Sequence, residues 1–364
     1  MKKKSLFTVK KDFSHDYINT KNIKFDKIII SKVFTFSKFD ENFLNILDES
    51  GNNIVEYEGT GFYYDKAPAL DECIEHCFPD YHLYDSWVQK MLNTGSCKKN
   101  ELKYFTDFSI GFTTRGCIRQ CSFCVNKNYK KCSVHSELNE FLDLERPYIC
   151  LLDDNVFACQ DWKEIFKSLN NSGKKFQFRQ GLDERLLTEE KCEVLFNSNY
   201  YEHKIFAFDN IKDWNLIKSK LELIRNYSNE ELRFYCFCAF AHNGESINEK
   251  FWVSDIIDLF KRTALLMNYN AIPYIMRHEN YMSAPDRYRG TYINIAAWCN
   301  QIHLFEKLSY KEYCLKCQER SASNTICSTY RYYTELLDSN SELENFFNLK
   351  KENSEKFLKI LENT

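Results

Sequence analysis

The feature that most constrains the fold is a regular alternation of short apolar segments with amphipathic segments between residues 109 and 280. The apolar segments are rich in aromatic and β-branched residues, which favours buried strands. The amphipathic segments repeat apolar residues at helical spacing. Strands that alternate with helices predict βαβ units, a parallel sheet and right-handed crossovers. The six predicted strands are residues 109–113, 148–152, 175–178, 204–208, 233–240 and 271–276.

Polar residues follow the C-terminal ends of these predicted strands. In barrel folds, functional groups collect at that end of the strands. We therefore expect these side chains to surround one site. They are Asp153, Asp154 and Asn155 after the second strand, Arg179 and Asp183 after the third, Asp209 after the fourth, and Arg277 and His278 after the last.

Three cysteines lie within eight residues just after the first predicted strand. Cys117, Cys121 and Cys124 have the spacing Cys-x3-Cys-x2-Cys, and Phe123 precedes the last of them. Gly116 allows the backbone to turn sharply, so the cysteines are expected on one loop at the end of that strand. Three thiolates on one loop suit a four-iron cluster with one iron left open, whereas a closed structural site wants a fourth protein ligand.

A zinc site is the alternative from a different class of protein. Cys132 is near enough in sequence to supply a fourth thiolate to Cys117, Cys121 and Cys124 in a non-enzymatic binding module. Zinc knuckles favour paired Cys-x2-Cys halves, and the ferredoxin spacing does not match either. The spacing thus favours the open cluster over zinc.

The cysteine loop, including Phe123, resembles the cluster loop of the radical S-adenosylmethionine (radical SAM) superfamily. The six strand–helix units over residues 108–280 look like the partial (β/α)6 TIM-type barrel of that superfamily. The resemblance implies an enzyme whose Cys117, Cys121 and Cys124 hold a [4Fe-4S] cluster that binds S-adenosyl-L-methionine. Reductive cleavage would release a 5′-deoxyadenosyl radical, which abstracts hydrogen from a substrate that the sequence does not identify.

The resemblance also implies cofactor contacts at Asp153, Asp154 and Asn155. The family usually carries a Gly-Gly-Glu-like segment here that binds the amino group of S-adenosylmethionine, and these glycines are missing from this chain. A carboxylate or amide facing the ammonium would still form a charge-assisted hydrogen bond. The alternative is that these residues cap a helix N-terminus.

Further cofactor contacts are implied at Arg179, Gly181, Asp183 and Asp209. Polar groups of the first three would contact the ribose hydroxyls or the carboxylate of S-adenosylmethionine, with Arg179 as a fork. The alternative is an Arg–Asp ion pair that braces the loop.

The sequence names no catalytic residue. Within the enzyme class, a radical SAM methylthiotransferase or methyltransferase is the alternative.

The flanking regions predict separate elements. Residues 1–24 read as a polar arm, and residues 25–107 as a small α/β region. The latter resembles the degenerate cobalamin-binding-type module of some radical SAM proteins. Its Asp-x-His-x-x-Gly signature is absent, so cobalamin is not expected and a structural cap is favoured.

Residues 281–364 predict a mostly helical extension that contains a second group of cysteines. An auxiliary iron–sulfur cluster or zinc is one interpretation. The other is a helix over residues 310–320 whose residues three apart share a face without metal. The cysteines concerned are Cys299, Cys314, Cys317 and Cys327.

Composition limits the compartment and the partners. The chain has 364 residues, 44% of them apolar, and a formal net charge of −3, so nucleic acid is not indicated as a partner. Sixteen irregularly spaced cysteines, with neither a signal peptide nor a membrane span, favour the reducing cytoplasm. The resemblance implies a reductant such as flavodoxin or ferredoxin.

Overall fold

The structure is a computed structural model that describes residues 28–32, 55–126, 130–242, 245–321 and 325–362. It is a mixed α/β protein that divides into two units. One comprises residues 1–108 with 124–129, and the other residues 109–123 with 130–364. The predicted arm, residues 1–24, lies outside the described residues. No helix in these ranges is both long and apolar enough to cross a bilayer.

The first unit combines one parallel strand pair with short helices. Strands β1 (Ile28–Ser31) and β2 (Val55–Glu58) are parallel, with Ile30 opposite Tyr57. Phe105 packs against Tyr84 and Trp87, with ring centroids 5.4 and 5.2 Å away. The helices are α1 (Thr60–Tyr63), α2 (Glu72–Glu75), α3 (Asp85–Asn93) and α4 (Lys103–Thr106), with 3-10 turns at Tyr64–Lys66 and Lys99–Leu102.

Two three-stranded sheets form the framework of the second unit. Their strand orders are β3-β6-β7 and β8-β9-β10, and the pairs β6–β7, β8–β9 and β9–β10 are parallel. Neither sheet closes into a barrel among the described residues. The strands are β3 (Phe108–Gly111), β4 (Thr114–Arg115), β5 (Ser133–Val134), β6 (Tyr148–Leu151), β7 (Lys175–Phe178), β8 (Ile205–Ala207), β9 (Leu232–Cys238) and β10 (Ala271–Arg277).

Hydrogen bonds connect β7 with the segment that leads into β8. Phe176 and Tyr200 form a parallel bridge, and Phe176 N donates to Asn199 O at 3.1 Å. Further along, Leu182 N donates to Ile205 O at 2.7 Å. The two sheets therefore follow one another in chain order, with these contacts between them.

Helices alternate with the strands, as the sequence pattern predicts, and each predicted strand lies within two residues of its observed bounds. Thr188 and Asn248 cap two helices by accepting the backbone N–H groups of Lys191 and Phe251. Helices between strands are α5 (Trp162–Asn171), α6 (Glu189–Phe196), α7 (Trp214–Arg225) and α8 (Glu249–Asn268). The C-terminal helices are α9 (Asp286–Cys299), α10 (Ile302–Phe305), α11 (Tyr310–Glu319), α12 (Ser328–Ser339), α13 (Leu343–Phe347) and α14 (Ser354–Glu362). The 3-10 turns are Leu138–Glu140, Val156–Ala158, Glu184–Leu186, Ile211–Asp213, Glu279–Ser283 and Lys351–Asn353.

Aromatic packing makes the C-terminal extension part of the core of the second unit. Phe260 of α8 lies 6.0 Å from the ring of Trp298 and 5.3 Å from that of Phe347, and all three are buried. Tyr310 completes the cluster, 5.0 Å from Phe347. Large buried rings contribute both area and specific geometry to stability. The extension is therefore built into the same core as the strands.

Strand β10 is an edge strand, and a side chain covers part of its open edge. Asn300, at the end of α9, accepts a hydrogen bond from Ile275 N at 2.7 Å and donates one to Ile275 O at 3.2 Å. Its amide thus satisfies both backbone groups of Ile275 on the side of β10 where the described residues provide no further strand. Covering an exposed edge in this way prevents pairing with another chain.

We expect Asn300→Ala to lower the free energy of unfolding by about 1–3 kcal/mol, because Ile275 loses a donor and an acceptor in a buried setting. Denaturant unfolding monitored by circular dichroism measures this change. The neighbouring exposed amide provides the control, and Gln301→Ala should stay within about 0.5 kcal/mol of the parent. Equal effects of the two substitutions would contradict the edge role of Asn300.

Candidate functional site

The cysteine loop begins at the end of β3 and is held at its base by a short strand pair. Thr114 and Arg115 of β4 pair antiparallel with Val134 and Ser133 of β5. Gly116 has a φ of 98°, a conformation that L side chains rarely adopt, so the sharp turn into the loop requires glycine. The predicted position of the cysteines at the end of the first strand is therefore confirmed. The β4–β5 pair is too short to give a sequence signal.

Asp153, at the end of β6, fixes the backbone that leads into the loop. The carboxylate accepts four hydrogen bonds of 2.6–3.1 Å from the backbone N–H and hydroxyl groups of Thr113 and Thr114. The side chain is 1% exposed, and its burial raises the pKa of the carboxyl while these hydrogen bonds lower it. Asp154 accepts a further bond from Gly116 N at 2.9 Å. Both carboxylates thus brace the loop rather than cap a helix.

N–H groups donate hydrogen bonds to the sulfurs of Cys117 and Cys124. Cys117 Sγ accepts hydrogen bonds from Arg119 N and from Asn155 Nδ2, both at 3.4 Å. Cys124 Sγ accepts one from Asn126 N, also at 3.4 Å. N–H donors stabilise the thiolate form of a cysteine and tune the potential of a metal bound to it. The sequence gives no sign that Asn155 contacts a cysteine.

Asp183 connects the loop after β7 to the cysteine loop. It accepts hydrogen bonds from Arg119 Nε at 2.7 Å, Arg185 Nε at 2.7 Å and Asn155 Nδ2 at 3.0 Å. Burial alone would raise the pKa of Asp183, but the hydrogen bonds from Arg185 and Arg119 outweigh it and hold the pKa below its usual range. The predicted Arg–Asp brace therefore exists, with Arg119 and Arg185 as the arginines.

Arg179 and Gly181 lie on the same loop as Asp183. The Arg179 side chain is exposed at the strand end, and its carbonyl accepts a hydrogen bond from the Tyr235 hydroxyl at 3.2 Å. Gly181 has a φ of 96°, so its backbone conformation by itself accounts for glycine there. Both residues stay candidates for cofactor contact.

Glu184 is buried, and one of its two carboxyl oxygens forms no hydrogen bond with the residues that the structure describes. Its Oε2 accepts a hydrogen bond from Ala207 N at 3.2 Å, and its Oε1 has no partner among the residues that the structure places. Burial, together with repulsion from Asp183, raises the pKa of Glu184 to about 8. Glu184 is therefore protonated at neutral pH. The sequence does not indicate that Glu184 is buried, because its burial depends on the tertiary structure.

Asp209 follows β8 and lines a recess with rings from two other segments. Its carboxylate accepts a hydrogen bond from Phe237 N at 3.0 Å. The recess has a volume of about 100 Å³ and is also lined by Phe123 and Phe240. Phe237 and Phe240 were not predicted as site residues. Their position at the end of the fifth predicted strand is the feature of the sequence that could have indicated them.

His278 and Arg277, at the end of β10, lie near the same rings. The His278 ring is 4.9 Å from Phe240 and 5.6 Å from Phe237, and burial lowers its pKa. The Arg277 guanidinium stacks on the Tyr281 ring at 4.7 Å. The strand-end residues of β8, β9 and β10 thus gather on one side of the second unit.

The fourth thiol of the zinc alternative, Cys132, is buried in the apolar core. Burial raises the pKa of Cys132 to about 12. The thiols of Cys117, Cys121 and Cys124 are partly exposed. Across the described ranges, no three Cys, His, Asp or Glu side chains are close enough together to hold a metal ion.

The C-terminal cysteines fall in two places. Cys299 is buried at the end of α9, where Cys236 and Cys238 are the cysteines near enough to raise its pKa. Cys314 and Cys317 share one face of α11, and both Cys317 and Cys327 influence the pKa of Cys314. Cys327 caps α12 by accepting Tyr330 N at 3.5 Å. Three of the four predicted residues are thus neighbours, and Cys299 is not among them.

Comparison of the chain with family models, curated proteins and solved structures finds no match.

Glu184→Gln should make stability less dependent on pH. Between about pH 4.5 and pH 8 the carboxyl is protonated in the folded chain and ionised in the unfolded chain. Because the folded state binds the extra proton there, the parent loses stability as pH rises, by at most about 1.4 kcal/mol per pH unit. Glutamine cannot ionise, so its unfolding free energy should fall less over this interval in denaturant titrations. Parallel profiles for parent and variant would refute the assignment, and exposed Glu319→Gln should follow the parent.

Asp183→Asn should loosen the cysteine loop, because Arg119 loses its ion-pair partner. We expect iodoacetamide to alkylate Cys117 of the metal-free protein about three- to tenfold faster, as measured by mass spectrometry of the peptide. Asp213→Asn is the matched control, since Asp213 pairs with Arg185 at 3.3 Å and is not bonded to Arg119. Equal alkylation rates in both variants would show that Asp183 does not hold the loop.

Proposed function

We propose that the protein is a radical SAM enzyme, built on a partial (β/α)6 barrel, in which Cys117, Cys121 and Cys124 hold a [4Fe-4S] cluster. The observation that carries the proposal is the three-cysteine loop at the end of β3, whose thiols are partly exposed and in which N–H groups donate to the sulfurs of Cys117 and Cys124. When bound, the cluster and S-adenosylmethionine supply an electron and a 5′-deoxyadenosyl radical that abstracts hydrogen from the substrate.

The strand arrangement supports the barrel. The sheets β3-β6-β7 and β8-β9-β10 run in chain order, and the parallel bridge between Phe176 and Tyr200 lies between them. Helices separate most of these strands, as βαβ units require. A wall of parallel strands in chain order with functional side chains at its C-terminal ends is the arrangement expected of this barrel.

The chemistry of the donor set fits an iron–sulfur cluster. Three thiols without disulfide partners lie on one loop, and a cluster with an open iron takes three protein ligands. Arg119 N and Asn155 Nδ2 would donate to the sulfur of Cys117 and stabilise its thiolate. Burial of Cys132 removes the nearest fourth thiol and favours three ligands over four.

The remaining residues position this loop and bind the cofactor. Asp153 and Asp154 hold the backbone before Cys117, while Asp183 orients Asn155 and Arg119 from the far side. Arg179 is exposed at the end of β7, and its guanidinium would bind a carboxylate as a fork. Cytoplasmic reductants such as flavodoxin or ferredoxin are the expected electron source.

Cys121→Ala should abolish the cluster and the release of 5′-deoxyadenosine. Iron content and absorption near ~400 nm after anaerobic reconstitution measure the first, and chromatography after dithionite reduction measures the second. Cys97→Ala removes a partly exposed thiol outside the loop, so it should retain about four irons per chain. Parent protein that binds zinc but no iron, or full activity of the Cys121 variant, would overturn the proposal.

A further inference from the structure

A small recess in the second unit combines aromatic rings with carboxylates. It has a volume of about 100 Å³ and lies between the ends of β8 and β9 and the first turns of α8. Pockets for drug-sized ligands usually span about 300–1,000 Å³, so this recess has room for the charged end of a small ligand rather than for a large molecule. Phe123, next to Cys124 in the sequence, forms part of its lining.

Aromatic rings form one wall of this recess. The Phe123 ring centroid lies 4.6 Å from Phe237 and 5.6 Å from Phe240, and these last two are 5.7 Å apart. His242 packs edge-on against Phe240 at 5.2 Å. The negative face of an aromatic ring attracts a cation within about 6 Å of its centroid. This wall therefore suits a positively charged or planar ligand.

Two carboxylates at the floor of the recess lack a cationic partner. Asp209 accepts Phe237 N, and Asp255 accepts Ala239 N at 2.8 Å and the Tyr292 hydroxyl at 2.7 Å. Neither forms an ion pair with a lysine or arginine in the described part of the chain. Protein surrounds both, yet each keeps some exposure, as expected for groups that face a cavity.

The one buried arginine in the lining does not neutralise these carboxylates directly. Arg262 is 2% exposed and donates Nη1 to Phe208 O at 2.6 Å and Nη2 to Phe237 O at 2.9 Å. Burial raises the pKa of Asp209 and Asp255 even though the Arg262 charge lowers it. Four acidic side chains line the recess against two basic ones. A ligand cation would add to the charge of Arg262 and favour the ionised form of both carboxyls.

We infer that this recess binds an organic cation, a small molecule that carries an amine, ammonium or guanidinium group on an apolar or planar body. The cation would lie between Asp209 and Asp255, and its body would contact Phe123, Phe237 and Phe240. That this cation is the substrate of the radical reaction rests on the proposed function, whereas the binding itself does not.

The test compares three probes that share a benzyl or phenyl body and differ in charge, one positive, one neutral and one negative. Benzylamine, benzyl alcohol and benzoate are titrated into the full-length protein by calorimetry, before and after iron–sulfur reconstitution. We expect benzylamine to bind at least about tenfold more tightly than benzyl alcohol, and benzoate to bind more weakly than either. Equal affinities for amine and alcohol, or tighter binding of benzoate, would overturn the inference.

Variants locate the binding in the recess. Asp209→Asn and Asp255→Asn keep a side-chain acceptor and should each weaken benzylamine about tenfold, whereas Phe240→Leu should weaken it about threefold. Asp286→Asn changes an exposed carboxylate and should leave the affinity unchanged. If none of the recess variants changes the affinity for benzylamine, the site is refuted. If a variant does not fold, the comparison of the three probes on the parent protein still decides the question.

The outcome separates this inference from the proposed function. If the protein forms no cluster but binds benzylamine with this preference, the organic-cation site stands and only its role as a substrate site is lost. If a reconstituted protein forms 5′-deoxyadenosine and shows no preference for the amine, the radical SAM proposal stands and the inference fails. Binding of Mg²⁺ in place of benzylamine, measured by competition, would equally refute it.

Discussion

The candidate site depends on the buried carboxylate of Asp153. Four donors from Thr113 and Thr114 converge on it, and the side chain is almost completely buried. A buried carboxylate is stable only when its oxygens are hydrogen-bonded, so this interaction permits few other positions for the start of the cysteine loop. The end of β6 thereby fixes the loop that follows β3, although some forty residues separate them.

A second set of contacts acts on the loop from the side of β7. Asp183 accepts from Arg119 within the loop, from Arg185 beside it, and from Asn155, which itself donates to Cys117. Arg119 and Asn155 donate to the sulfur of Cys117, and Asp183 holds both of these residues. Polar groups that follow three different strands therefore lie beside this sulfur. Networks of this kind rigidify a site when every member has a partner. Here Asn155 Oδ1 is buried and has no hydrogen-bond partner among the described residues. In the proposed function, these contacts would orient the thiolates and set the hydrogen bonding around the cluster.

Neighbouring carboxyls around the site differ in their protonation state and in their partners. Asp183 stays ionised because two arginines face it, whereas burial keeps the adjacent Glu184 protonated at neutral pH. Asp209 and Asp255 face the recess without an ion pair and rely on backbone and hydroxyl donors. Arg262 lowers the pKa of both carboxyls, and a cation bound beside the aromatic rings would add to its effect.

The sequence by itself determined the alternation of strands and helices, the polar residues at strand ends and the loop of Cys117, Cys121 and Cys124. These follow from local periodicity and spacing, which adjacent residues set. Only the tertiary structure decided that Asp153 braces Thr113, that Asn155 reaches Cys117, and that Cys299 lies apart from Cys314. It also revealed Glu184 and the recess beside Phe240, because burial and the approach of distant strand ends depend on how the sheets pack and leave no local pattern in the chain.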